Sequence, residues 1–165
     1  MADTRVSVDW DGVGAFGQAE NFGVCIASIE NPTGREDLLF WTWRPWSDAL
    51  QAVAWDGAGS YDGLWLPDVT TNPDTLFIDR TATGWSFGSI TGGVETVHFA
   101  NVTEMGGVTI TADGSALGLW SDMRSSTSPR TLSNLTIDPI SCVRKQFRPF
   151  FFFRSTASKS FRIVG

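Results

Sequence analysis

The chain has 165 residues, of which 42% are hydrophobic and 18% are charged, and its formal net charge is −6. The hydrophobic content excludes a disordered chain, and the length suffices for one well-buried core. The acidic balance argues against a nucleic-acid binder, because phosphate contacts need a basic face. No run of about 18 apolar residues occurs and the N-terminus has no apolar signal core, so we expect neither a membrane partner nor Sec export.

Alternation of apolar and polar side chains is the dominant pattern along the chain. It predicts strands over Arg5–Trp10, Phe22–Ile29, Leu38–Trp43, Leu76–Asp79, Val94–Val102, Val108–Ala112, Ala116–Trp120, Leu132–Ile137 and Phe161–Val164. Glycine- and asparagine-rich turns separate these segments. One segment, Ser47–Ala54, is predicted to be a short helix, with Leu50, Val53 and Ala54 on one face. The predicted fold is all-β, an antiparallel sandwich or barrel with at most one short helix.

The first predicted turn carries acidic residues at the spacing of a calcium loop. Asp9, Asp11 and Glu20 occupy positions 1, 3 and 12 of that pattern, and a glycine occupies position 6. Position 5 is Val13, which has no ligand oxygen, and no predicted helices flank the loop. We therefore interpret the segment as a glycine-rich hairpin and expect no metal and no other cofactor. If a metal were bound, these three acidic residues would be its ligands.

The same opening segment, VSVDWDGVGAF, resembles the start of minor tail proteins of tailed bacteriophages. In those proteins a similar strand precedes a DWDGDG-like loop. The resemblance covers about a dozen residues and departs from the family pattern at Val13. It implies a structural role in a virion.

Tryptophans are concentrated in the middle of the chain. On a strand, Trp41 and Trp43 would share one face about 7 Å apart, and two indoles at that spacing can stack on sugar rings. The alternative is that both indoles fill the core of the sandwich. The stretch from Trp55 to Trp65 is rich in glycine and aspartate, and we interpret it as a surface loop, where recognition residues are common. The candidate ligand-binding residues are Trp41, Trp43, Trp46, Trp55, Tyr61 and Trp65.

Three motifs suggest catalysis without supporting it. The sequence GWSFG at residues 84–88 matches the nucleophile-elbow pattern, but that motif needs a following helix and none is predicted. The single histidine, His98, and the isolated cysteines Cys25 and Cys142 exclude the usual zinc sites. We expect these cysteines to be reduced or joined in one bridge. Carboxylates are numerous enough for a glycosidase pair, but no pattern brings two of them together. We predict no catalytic residues and no enzyme.

The last 25 residues, 141–165, differ from the rest in charge and aromatic content. They hold six basic residues and no acid, whereas residues 1–140 hold six arginines and all 18 acids, so the two parts carry +6 and −12. They also hold six of the twelve phenylalanines, four of them consecutive at Phe150–Phe153. An extended run places two rings on each side and needs cover on both. Ring burial at about 1.5–3 kcal/mol each outweighs surface ion pairs at roughly 0–1 kcal/mol each.

We therefore divide the chain into a body, residues 1–140, and a C-terminal arm, residues 141–165. The arm is interpreted either as an arm that docks on another subunit or as the last strands of the same sandwich. Its aromatic residues should anchor it and its charges should orient it. The predicted interface residues are Arg148, Phe150, Phe151, Phe152, Phe153, Arg154, Phe161 and Arg162.

These features favour a structural protein of a large assembly over an enzyme. The leading interpretation is a bacteriophage virion component, part of a capsid decoration, tail or connector, assembled in the host cytoplasm. The expected partners are copies of the same chain or other virion proteins. The alternative is a carbohydrate- or receptor-binding sandwich that uses surface tryptophans, with a glycan as its partner.

Overall fold

Extended backbone dominates the computed structural model, which describes residues 4–11, 20–27, 37–56, 61–112, 116–123, 131–139 and 152–154. The strands are β1 (Thr4–Asp11), β2 (Glu20–Ala27), β3 (Asp37–Arg44), β4 (Ala49–Asp56), β5 (Tyr61–Leu66), β6 (Thr75–Thr81), β7 (Gly84–Thr91), β8 (Val94–Val102), β9 (Glu104–Met105), β10 (Val108–Thr109), β11 (Ala116–Met123), β12 (Thr131–Pro139) and β13 (Phe152–Arg154). A single turn of 3₁₀ helix, Pro45–Ser47, joins β3 to β4. Eight of the nine predicted strands therefore coincide at least in part with observed ones; the ninth, Phe161–Val164, lies outside the described residues.

The strands form two main sheets. The first has five strands in the order β12-β1-β6-β7-β8, and the second has six in the order β13-β11-β2-β3-β4-β5. Neighbouring strands are antiparallel throughout, except for β13, which runs parallel to β11. Strands β9 and β10 make a separate small hairpin. The predicted all-β sandwich is confirmed.

The core lies between the two sheets and takes every second side chain from their inner faces. Indole, phenyl and branched aliphatic groups dominate it, as expected for a sandwich. Its fully buried large members include Trp41, Trp43, Phe22, Phe87, Ile26, Leu39, Leu50, Ile78, Met105 and Val8. The outer face of the six-stranded sheet carries a second buried cluster, formed by Cys25, Ala27, Leu38 and Phe40, with Val53 and Trp55 packed against it. Strand β3 is thus buried on both faces, which explains its continuous apolar sequence.

One hydrogen bond ties the two sheets together through the core. The indole nitrogen Nε1 of Trp41, on β3, donates to the carbonyl oxygen of Gly88, on β7, at 2.7 Å. Neighbouring atoms also leave no room for a side chain at Gly88, because a Cβ atom there would clash with the ring of Phe77 and with the carbonyl oxygen of Thr96. A glycine is therefore required where the Phe77 ring crosses β7 on the outer face of this sheet.

The helix predicted for Ser47–Ala54 is wrong. Residues from Ala49 onward form β4, which lies between β3 and the edge strand β5 of the six-stranded sheet. Leu50, Ala52 and Ala54 all face the core, which is the period of a strand. Three other segments without a strand prediction are also strands: β5, which we interpret from the sequence as part of a surface loop, β7, and the two-residue β9.

Both edges of the five-stranded sheet are irregular. In β8 two residues stand opposite Ser86, and in β12 two residues stand opposite Val8. Each of these bulges contains an asparagine in the left-handed region, Asn101 with φ 57° and Asn134 with φ 50°. Asparagine tolerates this conformation better than most residues, so both bulges have a local sequence cause. Bulges of this kind discourage edge-to-edge pairing with another sheet.

Candidate functional site

The C-terminal arm contributes a strand to the edge of the six-stranded sheet. Phe152, Phe153 and Arg154 form β13, and their Cα partners on β11 are Trp120, Ser121 and Asp122. Within the described residues β13 is the outermost strand on this side, so it is an edge strand and not a central one. The pairing lies within the chain and corresponds to the alternative in which the arm supplies the last strand of the same sandwich.

The other predicted interface residues, Arg148, Phe150, Phe151, Phe161 and Arg162, lie outside the described residues. Their role stays a prediction. The twelve positions 140–151 connect β12, which belongs to the five-stranded sheet, to β13 on the six-stranded sheet. The parallel strands β11 and β13 are joined by residues 124–151, which include β12, and this connection exceeds the dozen or so residues that a parallel pair needs.

The six candidate ligand-binding aromatic residues fall into different environments. Trp41 and Trp43 are 0% and 1% exposed and belong to the core, so they offer no platform at the surface. Trp55 is half-buried and packs against the outer cluster that contains Phe40. Tyr61 is the first residue of β5, opposite Trp55. Only Trp46 and Trp65 are exposed among the tryptophans whose side chains the structure describes, at 43% and 42%.

Trp46 and Trp65 are brought together by Arg44. The guanidinium carbon of Arg44 lies 4.7 Å from the ring centroid of each indole. The Nη1 atom of Arg44 donates to Oε1 of Gln51 at 3.0 Å, which fixes the direction of the guanidinium group. Sequence reasoning selected the two tryptophans but missed Arg44 and Gln51. The sequence feature that could have identified them is the alternation of side chains along strands. Arg44 is the last residue of β3, and Gln51 on β4 stands opposite Trp65 on β5.

The predicted calcium-loop residues are only partly described, and Asp9 has a structural role. Its Oδ1 accepts a hydrogen bond from Oγ1 of Thr75 at 2.6 Å, and its Oδ2 accepts one from Nδ2 of Asn134 at 3.0 Å. The carboxylate thus joins β1 to both neighbouring strands. The side chains of Asp11 and Glu20 and the loop between them lie outside the described residues. In the part of the chain that the structure describes, no group of three or more His, Cys, Asp or Glu side chains is placed to hold a metal ion.

The nucleophile-elbow motif lies on a continuous strand. All of residues 84–88 belong to β7, with no turn after Ser86, whose Oγ accepts a hydrogen bond from the backbone N–H of Asn101 at 3.2 Å.

A different serine, Ser89, contacts the histidine: its Oγ lies 2.9 Å from Nε2 of His98. His98 also lies 6.0 Å from the Trp41 ring. Burial lowers the pKa of His98 below its ordinary 6.5, which favours the neutral imidazole.

Charge on the outer face of the five-stranded sheet is organised around Arg5. Its guanidinium makes paired hydrogen bonds to the carboxylates of Asp79 and Glu95, at 2.7–2.8 Å, and it stacks on the Phe77 ring at 4.0 Å. The hydrogen bonds from Arg5 lower the pKa of Glu95. This network ties β1, β6 and β8 together, with one guanidinium group bound by two carboxylates.

No family model, curated protein or solved structure matches the chain. Within the described residues, no helix has the length and hydrophobicity needed to cross a membrane. The candidate sites therefore rest on geometry: the strand β13 on the β11 edge, and the exposed pair Trp46 and Trp65.

Proposed function

We propose that this protein is a structural component of a large assembly, with a bacteriophage virion as the leading candidate, and that copies are linked by their C-terminal arms. In this proposal the position of β13 beside β11 is filled by the arm of a neighbouring copy. The observation that carries the proposal is the pairing of β13 with β11, because a short strand supplied from the end of the chain can be exchanged between identical subunits.

The length of the connection supports exchange. Residues 140–151 can span roughly 40 Å when extended, at about 3.3–3.6 Å per residue. Within the chain this connection brings β13 to the β11 edge, and we expect its length to allow the same pairing with an adjacent chain. Because the strand-to-strand contacts are the same in both cases, the balance depends on the strain in the connection and on the local concentration of neighbours.

Both edges of the five-stranded sheet are poorer points of linkage than the β11 edge. Strands β8 and β12, at the two edges of the five-stranded sheet, contain bulges that oppose further pairing. The β11 edge is instead completed by a separately supplied strand. A strand passed on from each copy to the next makes a heterologous contact, which closes into a ring or continues as a lattice, whereas a reciprocal exchange closes into a dimer.

Charge supports a contact between different copies. Residues 1–140 carry −12 and residues 141–165 carry +6, so two bodies repel each other while an arm attracts a neighbouring body. Salt should weaken this attraction over a Debye length of about 10 Å at 0.1 M. Ring burial should not weaken in the same way. The two contributions can therefore be separated.

The test is the mass of the particle in solution, measured by light scattering over a series of salt concentrations. The intact chain should form oligomers, and a chain that ends at Pro139 should be monomeric with an unchanged circular dichroism spectrum. Two matched variants of the full chain remove one contribution each. Phe152→Ser with Phe153→Ser should abolish assembly at all salt concentrations, whereas Lys159→Gln with Arg162→Gln should mainly reduce its salt dependence.

The proposal is refuted if the shortened chain assembles as well as the intact one. It is equally refuted if the intact chain is a monomer at all concentrations. The serine variant guards against a shortened chain that fails to fold, because it keeps the full length and charge of the arm.

A further inference from the structure

The exposed indoles of Trp46 and Trp65 point to a ligand site that does not depend on the proposed assembly. We propose that these two side chains, with Arg44 between them, form a platform that binds a neutral carbohydrate. We call this surface the tryptophan platform, and it comprises Arg44, Trp46, Gln51 and Trp65. It lies at the β5 side of the six-stranded sheet, whereas β13 lies at the opposite edge of the same sheet.

The first argument is exposure. Trp46 and Trp65 are 43% and 42% exposed, whereas the core indoles Trp41 and Trp43 are at most 1% exposed. A single exposed apolar side chain is ordinary, but here two indoles meet the same guanidinium group. Their ring centroids can be no farther apart than twice 4.7 Å, because both rings contact the same guanidinium group. Two exposed indoles held this close can contact one ligand together.

The second argument is that the platform is held in place before a ligand arrives. Arg44 is at the end of β3, Trp65 is in β5, and the 3₁₀ helix that carries Trp46 closes with a hydrogen bond from the Asp48 N–H to the Pro45 carbonyl at 3.4 Å. The Gln51 side chain fixes the guanidinium. A ligand therefore pays little conformational entropy to order these rings, which is the condition for useful affinity at a small site.

The third argument concerns the chemistry of the ligand. Indole faces attract the C–H faces of a pyranose ring through dispersion and through the negative charge of the π system. One face of each indole is occupied by Arg44, and the exposed part of each ring remains for the ligand. Stacking of this kind needs no charge on the ligand.

Two acidic residues that closely follow the platform tryptophans in the sequence favour a neutral sugar as the ligand. Asp48 and Asp68 are both exposed, and they follow Trp46 and Trp65 by two and three positions. Their loops are joined by a hydrogen bond from the Val69 N–H to the Asp48 carbonyl at 2.8 Å. Carboxylates accept hydrogen bonds from sugar hydroxyls but repel sulfate, carboxylate and phosphate groups. Because these two carboxylates outnumber the one guanidinium of Arg44, the net local charge is negative and disfavours an acidic glycan or a nucleic acid.

The experiment is a titration of the full chain with soluble neutral oligosaccharides, namely hexamers of β-1,4-glucose, α-1,4-glucose, β-1,4-xylose and β-1,4-N-acetylglucosamine, followed by isothermal calorimetry. At least one of them should bind. Trp46→Ala and Trp65→Ala should each weaken that binding at least tenfold. Val97→Ala is the matched control, because Val97 is 46% exposed on the other sheet, and it should leave the affinity unchanged.

Arg44→Lys tests the role of the guanidinium group. It keeps the positive charge but loses the planar group that stacks between the rings, so it should weaken binding less than loss of an indole does. The proposal is overturned if no neutral oligosaccharide binds to the folded chain, or if binding is unaffected in both tryptophan variants. It is also overturned if Trp46→Ala abolishes assembly while no sugar binds, because the platform is then a protein contact. Failure of the arm variants to alter assembly has no bearing on these results.

Discussion

Two buried tryptophans in the core differ in one respect that can be measured. The Nε1 atom of Trp41 donates a 2.7 Å hydrogen bond to Gly88 on the other sheet, whereas Nε1 of Trp43 is buried without a hydrogen-bond partner. Replacing either by phenylalanine removes a similar volume and a similar apolar area. The packing cost of Trp41→Phe and Trp43→Phe should therefore be comparable.

The two substitutions differ in how the loss of the indole N–H changes the free energy of unfolding, and the two changes have opposite signs. Trp41→Phe loses a buried hydrogen bond and leaves one acceptor position of Gly88 unfilled, which costs about 1–3 kcal/mol in addition to packing. Trp43→Phe removes a buried donor that makes no bond in the folded state, so it recovers a desolvation penalty of about 1–3 kcal/mol. We therefore expect Trp41→Phe to be less stable than Trp43→Phe by about 2 kcal/mol or more.

Equilibrium unfolding in urea, followed by far-ultraviolet circular dichroism, checks this expectation. Circular dichroism is preferred because both substitutions alter tryptophan fluorescence. With a slope of about 2 kcal/mol/M, the two midpoints should differ by about 1 M, with Trp41→Phe unfolding first. The reasoning is refuted if Trp43→Phe unfolds at the same urea concentration as Trp41→Phe or at a lower one with an equal slope.

Three further predictions concern single residues of the five-stranded sheet. The pKa of His98 is lowered below 6.5 in the folded chain, so the unfolded chain binds more protons as the pH falls. The contribution of neutral His98 to the free energy of unfolding should therefore be complete above pH 6.5 and decrease as the pH drops below that value. His98→Gln should remove this part of the pH dependence, as urea titrations at a series of pH values would show. Gly88→Ala should destabilise the chain by about 1–3 kcal/mol, measured by thermal unfolding, because the new methyl group meets the Phe77 ring and a backbone carbonyl. Arg5→Lys should lower the free energy of unfolding by about 1 kcal/mol in the same assay, since an ammonium group cannot make paired hydrogen bonds to both carboxylates. An unchanged stability would show that the paired hydrogen bonds contribute nothing beyond the positive charge.

Local alternation was sufficient to predict the class of fold. Strand β8 matches its predicted range to the residue. In β1 the observed burial shows the alternation directly, because Val6 and Val8 are buried and the residues between and beside them are not. β4 was mispredicted because Leu50, Val53 and Ala54 also satisfy the spacing of a helix, and alanine and leucine are good helix formers. Its pairing with β3 and β5 outweighs that propensity. Such long-range pairing cannot be inferred from the short stretch of sequence around β4.

The candidate sites were predictable only in part, for a related reason. The tryptophans were identified by composition, but which of them reach solvent depends on register. Trp43 and Arg44 are consecutive and face opposite sides of β3, one in the core and one in the tryptophan platform. The cation between two indoles brings together β3, the 3₁₀ helix and β5, and no spacing rule relates these three elements. The parallel partner of β13 was likewise beyond local reasoning.

The central claim, that β13 is supplied by a neighbouring copy, is tested most directly by a disulfide between two chains. One chain carries Ser121→Cys and the other Phe153→Cys, both with Cys25→Ala and Cys142→Ala, and the two are refolded together. Partner positions on neighbouring strands lie about 4.8 Å apart, within the range of a disulfide. Oxidation should give a covalent dimer of the two chains, and Ala116→Cys in place of Ser121→Cys should give none. The claim is contradicted if the mixed chains never join while a single chain carrying both cysteines closes its own bond.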